Sequence, residues 1–109
     1  MIEIRIKRDS NSGIIGFRVS GHAFFADAGK DIVCAAVSVL TINTLNAIES
    51  FLPENNMDVT VDKEHGFIEA RLSGDPGDGL RLLLDTFHLG VKTIEEKYGS
   101  SYVKVLEES

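Results

Sequence analysis

The sequence has few of the residues that mark secreted or membrane-spanning proteins. Its 109 residues include one cysteine, two prolines and no tryptophan. A single cysteine excludes a disulfide bond within the chain, so we expect a reducing compartment that keeps the thiol reduced. No apolar run approaches the roughly 18 residues that a membrane span needs. The first residues alternate apolar and charged side chains, unlike a signal peptide, and we therefore expect a cytoplasmic protein that does not bind a membrane.

Positive charge is also scarce. The chain carries 11 Lys and Arg residues against 17 Asp and Glu residues, which gives a net charge of −6 at pH 7. Binding to a phosphate backbone usually requires a basic surface, so we expect no direct contact with nucleic acid, and a basic polypeptide is the better partner. We expect one domain over residues 1–109, and a chain of this size leaves enough apolar surface uncovered to favour a homo-oligomer.

The hydrophobic pattern predicts seven secondary-structure elements. Alternation with a period of two indicates strands, and helical spacing of apolar residues indicates helices. The predicted strands cover residues 2–7, 15–19, 57–62, 67–72 and 102–106, and the predicted helices cover residues 31–52 and 80–98. The order is ββαββαβ, with the first two and the middle two strands joined as hairpins. This order predicts an α+β fold: one mixed or antiparallel sheet of about five strands with two helices against it.

Three local details extend this prediction. We place Ile15, Phe17 and Val19 on one face of the second strand. Residues 73–79 are rich in glycine but lack the Lys-Ser/Thr pair of a phosphate-binding loop, so we interpret them as a flexible connector before the second helix. The acidic end, residues 107–109, is interpreted as a solvated tail.

The chemistry concentrates in the stretch from Gly21 to Ser38, which contains the cysteine, Cys34, and one of three histidines, His22. Cys34 falls in the first turn of the first predicted helix. Unpaired backbone N–H groups and the positive end of the helix dipole favour a thiolate there. Cys34 is therefore a candidate nucleophile, and His22, at the end of a predicted strand, is its candidate base.

The alternative is that Cys34 is a small buried hydrophobic residue, as most lone cysteines on apolar helices are. An ordinary thiol has a pKa near 8.5, and lowering that pKa by about two units requires roughly 2.7 kcal/mol. A helix terminus supplies only about 0.3 to 1 kcal/mol. The imidazolium of His22 must therefore supply most of the remainder, although a histidine after a strand can also be a simple loop-edge residue.

Two polar residues next to the proposed pair are assigned supporting roles. Asp31 is the candidate N-cap, and its carboxylate caps the helix or orients the imidazole rather than activating the thiol, because a negative charge opposes a thiolate. Ser38 lies one helical turn beyond Cys34, where its hydroxyl either contacts the site or bonds the carbonyl oxygen of Cys34.

The loop between the strand and the helix has glycines near its ends, Gly21 and Gly29, and an aromatic pair, Phe24 and Phe25. Glycine permits backbone conformations that strain other residues, so the loop can fold back on itself. We expect Phe24 and Phe25 to line a substrate groove, or to occupy it in the free protein as a mimic of an aromatic substrate segment.

Other chemistries fit less well. His22, Asp27 and Asp31 match no established metal-ligand spacing, so we expect no metal and no cofactor. A thiol redox sensor would need a resolving cysteine from another chain. The remaining histidines, His65 and His88, are interpreted as structural or solvated.

The residues Gly21-His22-Ala23, Gly29, Asp31 to Ala35 and Ser38 resemble the Prp family, the bacterial ribosomal-processing cysteine proteases. The resemblance extends over the whole chain and implies that His22 and Cys34 form a catalytic dyad in a small homodimeric α+β enzyme. It also implies a substrate: the large-ribosomal-subunit protein bL27, whose precursor carries a short apolar, phenylalanine-containing N-terminal extension that is cut after the aromatic residue.

A rival interpretation from another class is a non-catalytic, ribosome-associated protein-binding module. In that case Cys34 only packs in the core, and the acidic surface binds a basic ribosomal protein. The reactivity of the thiol distinguishes the two interpretations.

Overall fold

The computed structural model describes residues 1–21 and 32–109. Five strands and two helices follow one another in the predicted order. They are β1 (Ile2–Arg8), β2 (Ile14–Ser20), α1 (Ile32–Phe51), β3 (Met57–Asp62), β4 (Phe67–Leu72), α2 (Gly77–Tyr98) and β5 (Val103–Glu108).

The strands form one mixed sheet in the order β3-β4-β2-β1-β5. The β1–β2, β2–β4 and β3–β4 pairs are antiparallel, whereas β5 lies parallel to β1. Parallel pairing is possible because the long path through both helices returns the chain to the first strand. The predicted α+β class, the two hairpins and the element order are confirmed.

Both helices contribute to a single core with the sheet. The buried side chains of β1, β2, β4 and β5 form one cluster with those of α1 and α2. Phe17 of β2 stacks on Phe87 of α2 with their ring centroids 4.2 Å apart. The helices approach closely at Gly90, where an added Cβ would lie 2.5 Å from Leu40 Cδ2. A side chain at position 90 would therefore require the Leu40 side chain to move.

Helix α1 is long and apolar enough to cross a membrane by length and composition alone, with a mean hydropathy of 1.6. The core helix of a folded domain meets the same criterion. Val37, Thr41 and Ile48 of α1 are buried, and the two apolar residues belong to the cluster shared with the sheet. The apolar composition of α1 thus serves the core on this side of the helix.

The predicted face of the second strand is wrong at one position. A β-bulge shifts the register so that Lys7 pairs with Gly16 but Arg8 pairs with Ile14. The extra residue is Ile15, and a bulge of this kind turns the following alternation by one residue. Ile14 therefore joins Phe17 in the core, whereas Ile15 is only half-buried.

The predicted solvated tail is also wrong, because β5 continues through Glu108. Glu107 accepts a hydrogen bond from Arg8 Nε at 2.9 Å, and its other oxygen lies 3.3 Å from His88 Nε2. The Arg8 guanidinium also donates to the carbonyl oxygen of Ser12. These contacts tie the last strand to β1 and to α2, so His88 has the structural role expected of it.

Helix α2 begins three residues earlier than predicted, at Gly77 instead of residue 80. The Asp75 carboxylate accepts the backbone N–H of Gly77 at 3.1 Å, and Pro76 has a φ of −70°. Proline fixes a helix-compatible φ and loses nothing in a first turn, where N–H groups have no partner within the helix. Gly77 itself has a φ of +74°, which glycine adopts without strain, so glycine suits the position where α2 begins.

The outer edge of β5 is closed by hydrogen bonds from α2 and from the turn after it. The Glu95 carboxylate accepts the backbone N–H of Val105 at 2.7 Å and an ammonium proton of Lys92 at 2.9 Å. These bonds, first the one from Val105 and then the one from Lys92, hold the pKa of Glu95 below its ordinary value of 4.5. A lowered carboxyl pKa means that the ionised form stabilises the fold.

We predict that Glu95→Ala lowers the free energy of unfolding by about 1.5 kcal/mol at pH 7, the worth of a hydrogen bond to a charged group. Because the folded pKa is the lower one, this stability is present above pH 4.5 and is lost as the pH falls through the folded pKa. Glu95→Gln keeps a hydrogen-bond acceptor, but it should reduce the loss of unfolding free energy that the wild-type protein shows as the pH falls. Denaturant unfolding from pH 3 to 7, with the exposed Glu96→Ala as control, measures both effects. A Glu95→Ala protein as stable as wild type would contradict the assignment.

Candidate active site

Cys34 is the third residue of α1, which begins at Ile32. Its side chain is buried, with 5% of its surface exposed, between the core residues Val33 and Val37. Backbone N–H groups of a first helical turn have no acceptor within the helix, and they surround an anion or a developing oxyanion with donors. Within the described residues of α1, the first turn holds no acidic side chain to oppose a thiolate.

Ser38 lies four residues after Cys34 and therefore on the same side of α1. It is half-buried and lines a shallow depression with Val39, Ile42, Asn43 and Asn46. Two larger depressions lie elsewhere, on the open face of the sheet and near the end of α1.

Gly21 ends β2 and starts the segment that leads to α1. Its φ is +108°, in the region that L side chains rarely adopt, and a Cβ there would lie 2.5 Å from the carbonyl oxygen of Met1 and 3.1 Å from Ile2 Cα. Both the backbone conformation and the close approach require glycine. Gly21 therefore lies directly beside the start of β1.

The other predicted site residues, His22, Phe24, Phe25, Gly29 and Asp31, lie outside the described residues, as does Asp27. The predictions that His22 is the base, that Asp31 caps the helix and that the aromatic pair lines a groove therefore stay predictions. Of the proposed catalytic and supporting residues, the structure places Cys34 and Ser38 together on α1, and Gly21 at the end of β2.

A second histidine lies at the same end of the sheet as Gly21. Ser20 of β2 pairs with Phe67 of β4, which in turn pairs with Asp62 of β3. Asp62 accepts the backbone N–H of His65 at 2.9 Å, and its other oxygen lies 2.9 Å from His65 Nδ1. The hydrogen bond from the His65 backbone, and after it the bond to the His65 ring, hold the pKa of Asp62 below its ordinary value of 3.8. This pair closes the β3–β4 turn, so His65 is structural, as expected.

Metal chemistry finds no support in the part of the chain that the structure describes. Among residues 1–21 and 32–109, no group of three His, Cys, Asp or Glu side chains is arranged to hold a metal ion. In the same residues, every buried side-chain nitrogen or oxygen has a hydrogen-bond partner.

Two surfaces were not singled out from the sequence. One is the outward stripe of α1, where Val39 is 69% exposed and Ile42 is 42% exposed. The other is the outer edge of β3, where Val59 and Val61 are exposed. The sequence signal for the outward stripe of α1 was the number of apolar residues around the helix, which is larger than packing against one face of a sheet requires. The second carried no signal, because alternation does not say which strand is at an edge.

Sequence comparison identifies relatives over nearly the whole chain. A profile of the family described as cysteine protease Prp matches residues 1–104. A ribosomal processing cysteine protease Prp from Bacillus subtilis is 33% identical over 101 residues, which cover 90% of each chain. The protein of the same description from Staphylococcus aureus is 30% identical and covers 93% of this chain and 94% of its own.

Solved structures of similar proteins share the fold. The crystal structure of the S. aureus ribosomal processing protease Prp with a covalently linked product peptide has a TM-score of 0.86 at 28% identity and covers 99% of this chain and 100% of its own. A second S. aureus complex, with a substrate peptide, has a TM-score of 0.86 at 26% identity with the same coverage. A Streptococcus mutans protein has a TM-score of 0.83 at 28% identity, covering 99% of this chain and 94% of its own.

Proposed function

Since this chain is a cysteine protease of the Prp family, we propose that it removes a short N-terminal extension from the precursor of large-ribosomal-subunit protein bL27 in the cytoplasm, before ribosome assembly. The observation that carries the chemical part of the proposal is the position of Cys34, which is buried in the first turn of α1 and follows in sequence the segment that contains His22. The relatives are ribosomal processing proteases, which supports a ribosomal protein as substrate.

The proposed mechanism is acyl transfer through a thioester. His22 takes the proton from Cys34 Sγ, and the thiolate attacks the carbonyl carbon of the scissile peptide bond. Backbone N–H groups at the start of α1 stabilise the oxyanion that forms. When the tetrahedral species collapses, the C–N bond breaks and His22 gives its proton to the leaving amine. Water, deprotonated by His22, then hydrolyses the thioester and restores the thiol.

Two observations support a covalent route over a binding module. The related S. aureus enzyme has been crystallised with a covalently linked product peptide. In this chain, Cys34 lies in the first turn of α1, and the described part of that turn has no competing carboxylate. Asp31 and Ser38 steady the dyad in this proposal, by capping α1 and by contacting the site from one turn further on.

We expect one cut after a phenylalanine when a bL27 precursor peptide with its extension is incubated with the wild-type protein. Cys34→Ala and His22→Ala should abolish it, because the nucleophile or its base is missing, whereas Ser38→Ala should only slow it. Mass spectrometry of the products locates the cut. A cut that survives Cys34→Ala would contradict the mechanism, and no cut by the wild-type protein would contradict the substrate. In the same assay, replacing both Phe24 and Phe25 with alanine should raise the KM for the peptide, whereas the free energy of unfolding should change little.

We also propose that the enzyme is a homodimer and that the outward stripe of α1 is part of its interface. Ile32 and Val39, seven residues or about two turns apart, are both more than 60% exposed, and Ile42 extends the same stripe. Large aliphatic side chains at helical spacing on the surface of one chain are typical of a face covered by a partner. A basic or membrane partner is disfavoured because the residues interspersed in the depression on this stripe are Ser38, Asn43 and Asn46, which carry no charge.

Sedimentation analysis tests the dimer. The wild-type protein should sediment at twice the chain mass of 11.9 kDa. Ile42→Glu should shift the protein to the monomer, because it buries a charge without a partner in an apolar interface. Leu89→Glu, which places the same charge at an exposed position on α2, is the matched control. A dimer that tolerates Ile42→Glu would contradict this choice of interface, and a wild-type monomer would contradict the dimer.

A further inference from the structure

The two edges of the sheet are finished differently. At the β5 edge, Ile2 donates its N–H to the carbonyl oxygen of Tyr102, so the alternation of a parallel pair directs the N–H groups of Val103 and Val105 away from β1. Both are occupied: Val103 donates to the carbonyl oxygen of Gly99 at 3.3 Å, and Val105 donates to Glu95 at 2.7 Å. These two outward N–H groups of β5 are therefore not available to a further strand.

Among the residues that the structure describes, the β3 edge is open. Ser73 donates its N–H to the carbonyl oxygen of Asn56, which fixes the hydrogen-bonded positions of the β3–β4 ladder. By alternation, the backbone groups of residues 58, 60 and 62 face β4, and those of Val59 and Val61 face outward. Met57 N–H is capped by Asn55 Oδ1 at 2.9 Å. Within residues 1–21 and 32–109, the outward groups of Val59 and Val61 have no such cap.

The side chains of β3 are apolar on one face of the sheet and polar or acidic on the other. Val59 and Val61 pair with Ala70 and Ile68, so they lie on the helix side of the sheet, yet they are 47% and 55% exposed. Asp58 and Asp62 lie on the opposite side. A strand added to this edge would meet valine side chains on one face and, on the other, the carboxylate of Asp58 and that of Asp62, which also contacts His65.

A second copy of this chain is a poor occupant of the edge in the register centred on Thr60. Antiparallel pairing of two β3 strands centred on Thr60 would set Asp58 directly opposite Asp62 of the second copy, twice, and like charges directly opposite each other destabilise a sheet. An extended segment in which apolar and basic residues alternate is complementary instead. Its apolar side chains would lie beside Val59 and Val61, and its basic side chains beside the two aspartates.

We propose that the β3 edge docks such a segment of the substrate by strand addition, on the mature side of the cut. This rests on the proposed function, since a ribosomal protein supplies basic residues where the apolar extension does not. The end of the sheet at which Gly21 follows β2 is also the end at which β3 reaches Asp62. Ser20, Phe67 and Asp62 lie side by side there, on β2, β4 and β3. With strands about 4.8 Å apart and about 3.3 Å per extended residue, roughly five residues span the distance from the end of β2 to a strand outside β3.

The experiment compares a long precursor peptide, with 20 mature residues after the cut, with a short one that ends three residues after it. Val61→Pro removes the outward N–H and leaves the ladder to β4 intact, because proline is tolerated at an edge. Asp58→Lys reverses the complementary charge and serves as a second variant. Asp85→Lys, the same change at an exposed position of α2, is the control.

We expect Val61→Pro and Asp58→Lys each to reduce the preference for the long over the short peptide, measured as the ratio of kcat/KM values, about five-fold, as the loss of one net interaction would. The reduction should arise in KM and not in kcat, and Asp85→Lys should leave the ratio unchanged. Equal losses on both peptides, or no loss on either, would overturn the proposal. So would a change of sedimentation mass in Val61→Pro, which would make the edge an interface between copies.

A binding arm separates this proposal from the proposed function. The probe is a synthetic peptide of alternating valine and lysine, and the readout is hydrogen exchange at the amides of Val59 and Val61, with a valine–glutamate peptide as control. Slower exchange with the lysine probe alone supports docking even if the bL27 precursor is not cut. Unchanged exchange overturns the docking proposal even if the precursor is cut.

Discussion

The burial of the first turn of α1 against the sheet is the constraint on which the rest of the structure depends. Val33, Cys34 and Val37 are all within the core, so the sulfur is held at the helix start by packing and not by a flexible loop. Gly90 lets α2 come close enough to hold α1 in place, and Phe17 on Phe87 fixes α2 on β2. The nucleophile is therefore part of the packed core that the sheet and both helices share.

Much of this could be predicted from the sequence, because its patterns are local. Alternation located all five strands, and Pro53 marked the end of α1 within two residues. Cys34 at the start of a helix is likewise a local inference, and the structure confirms its position. The resemblance carried by the residues around Cys34 agrees with the family match over residues 1–104.

What could not be predicted depends on contacts between distant residues. The bulge that brings Ile14 and not Ile15 into the core arises from pairing with β1. The acidic end became a strand because Arg8 and His88, far away in sequence, supply partners for Glu107. Which strand lies at an edge, and whether that edge is capped, follows only from the strand order, so the contrast between β3 and β5 had no signal in the sequence.

The proposed mechanism requires that His22 activates Cys34. The measurement is the rate of alkylation of the folded protein by iodoacetamide as a function of pH, for wild type and for His22→Ala. Activation predicts a half-maximal rate about one unit or more below the ordinary thiol value near 8.5 in the wild type, and a return toward that value in His22→Ala. A thiol that reacts only after unfolding, or whose half-maximal pH is the same in both proteins, would contradict the account and favour the binding module.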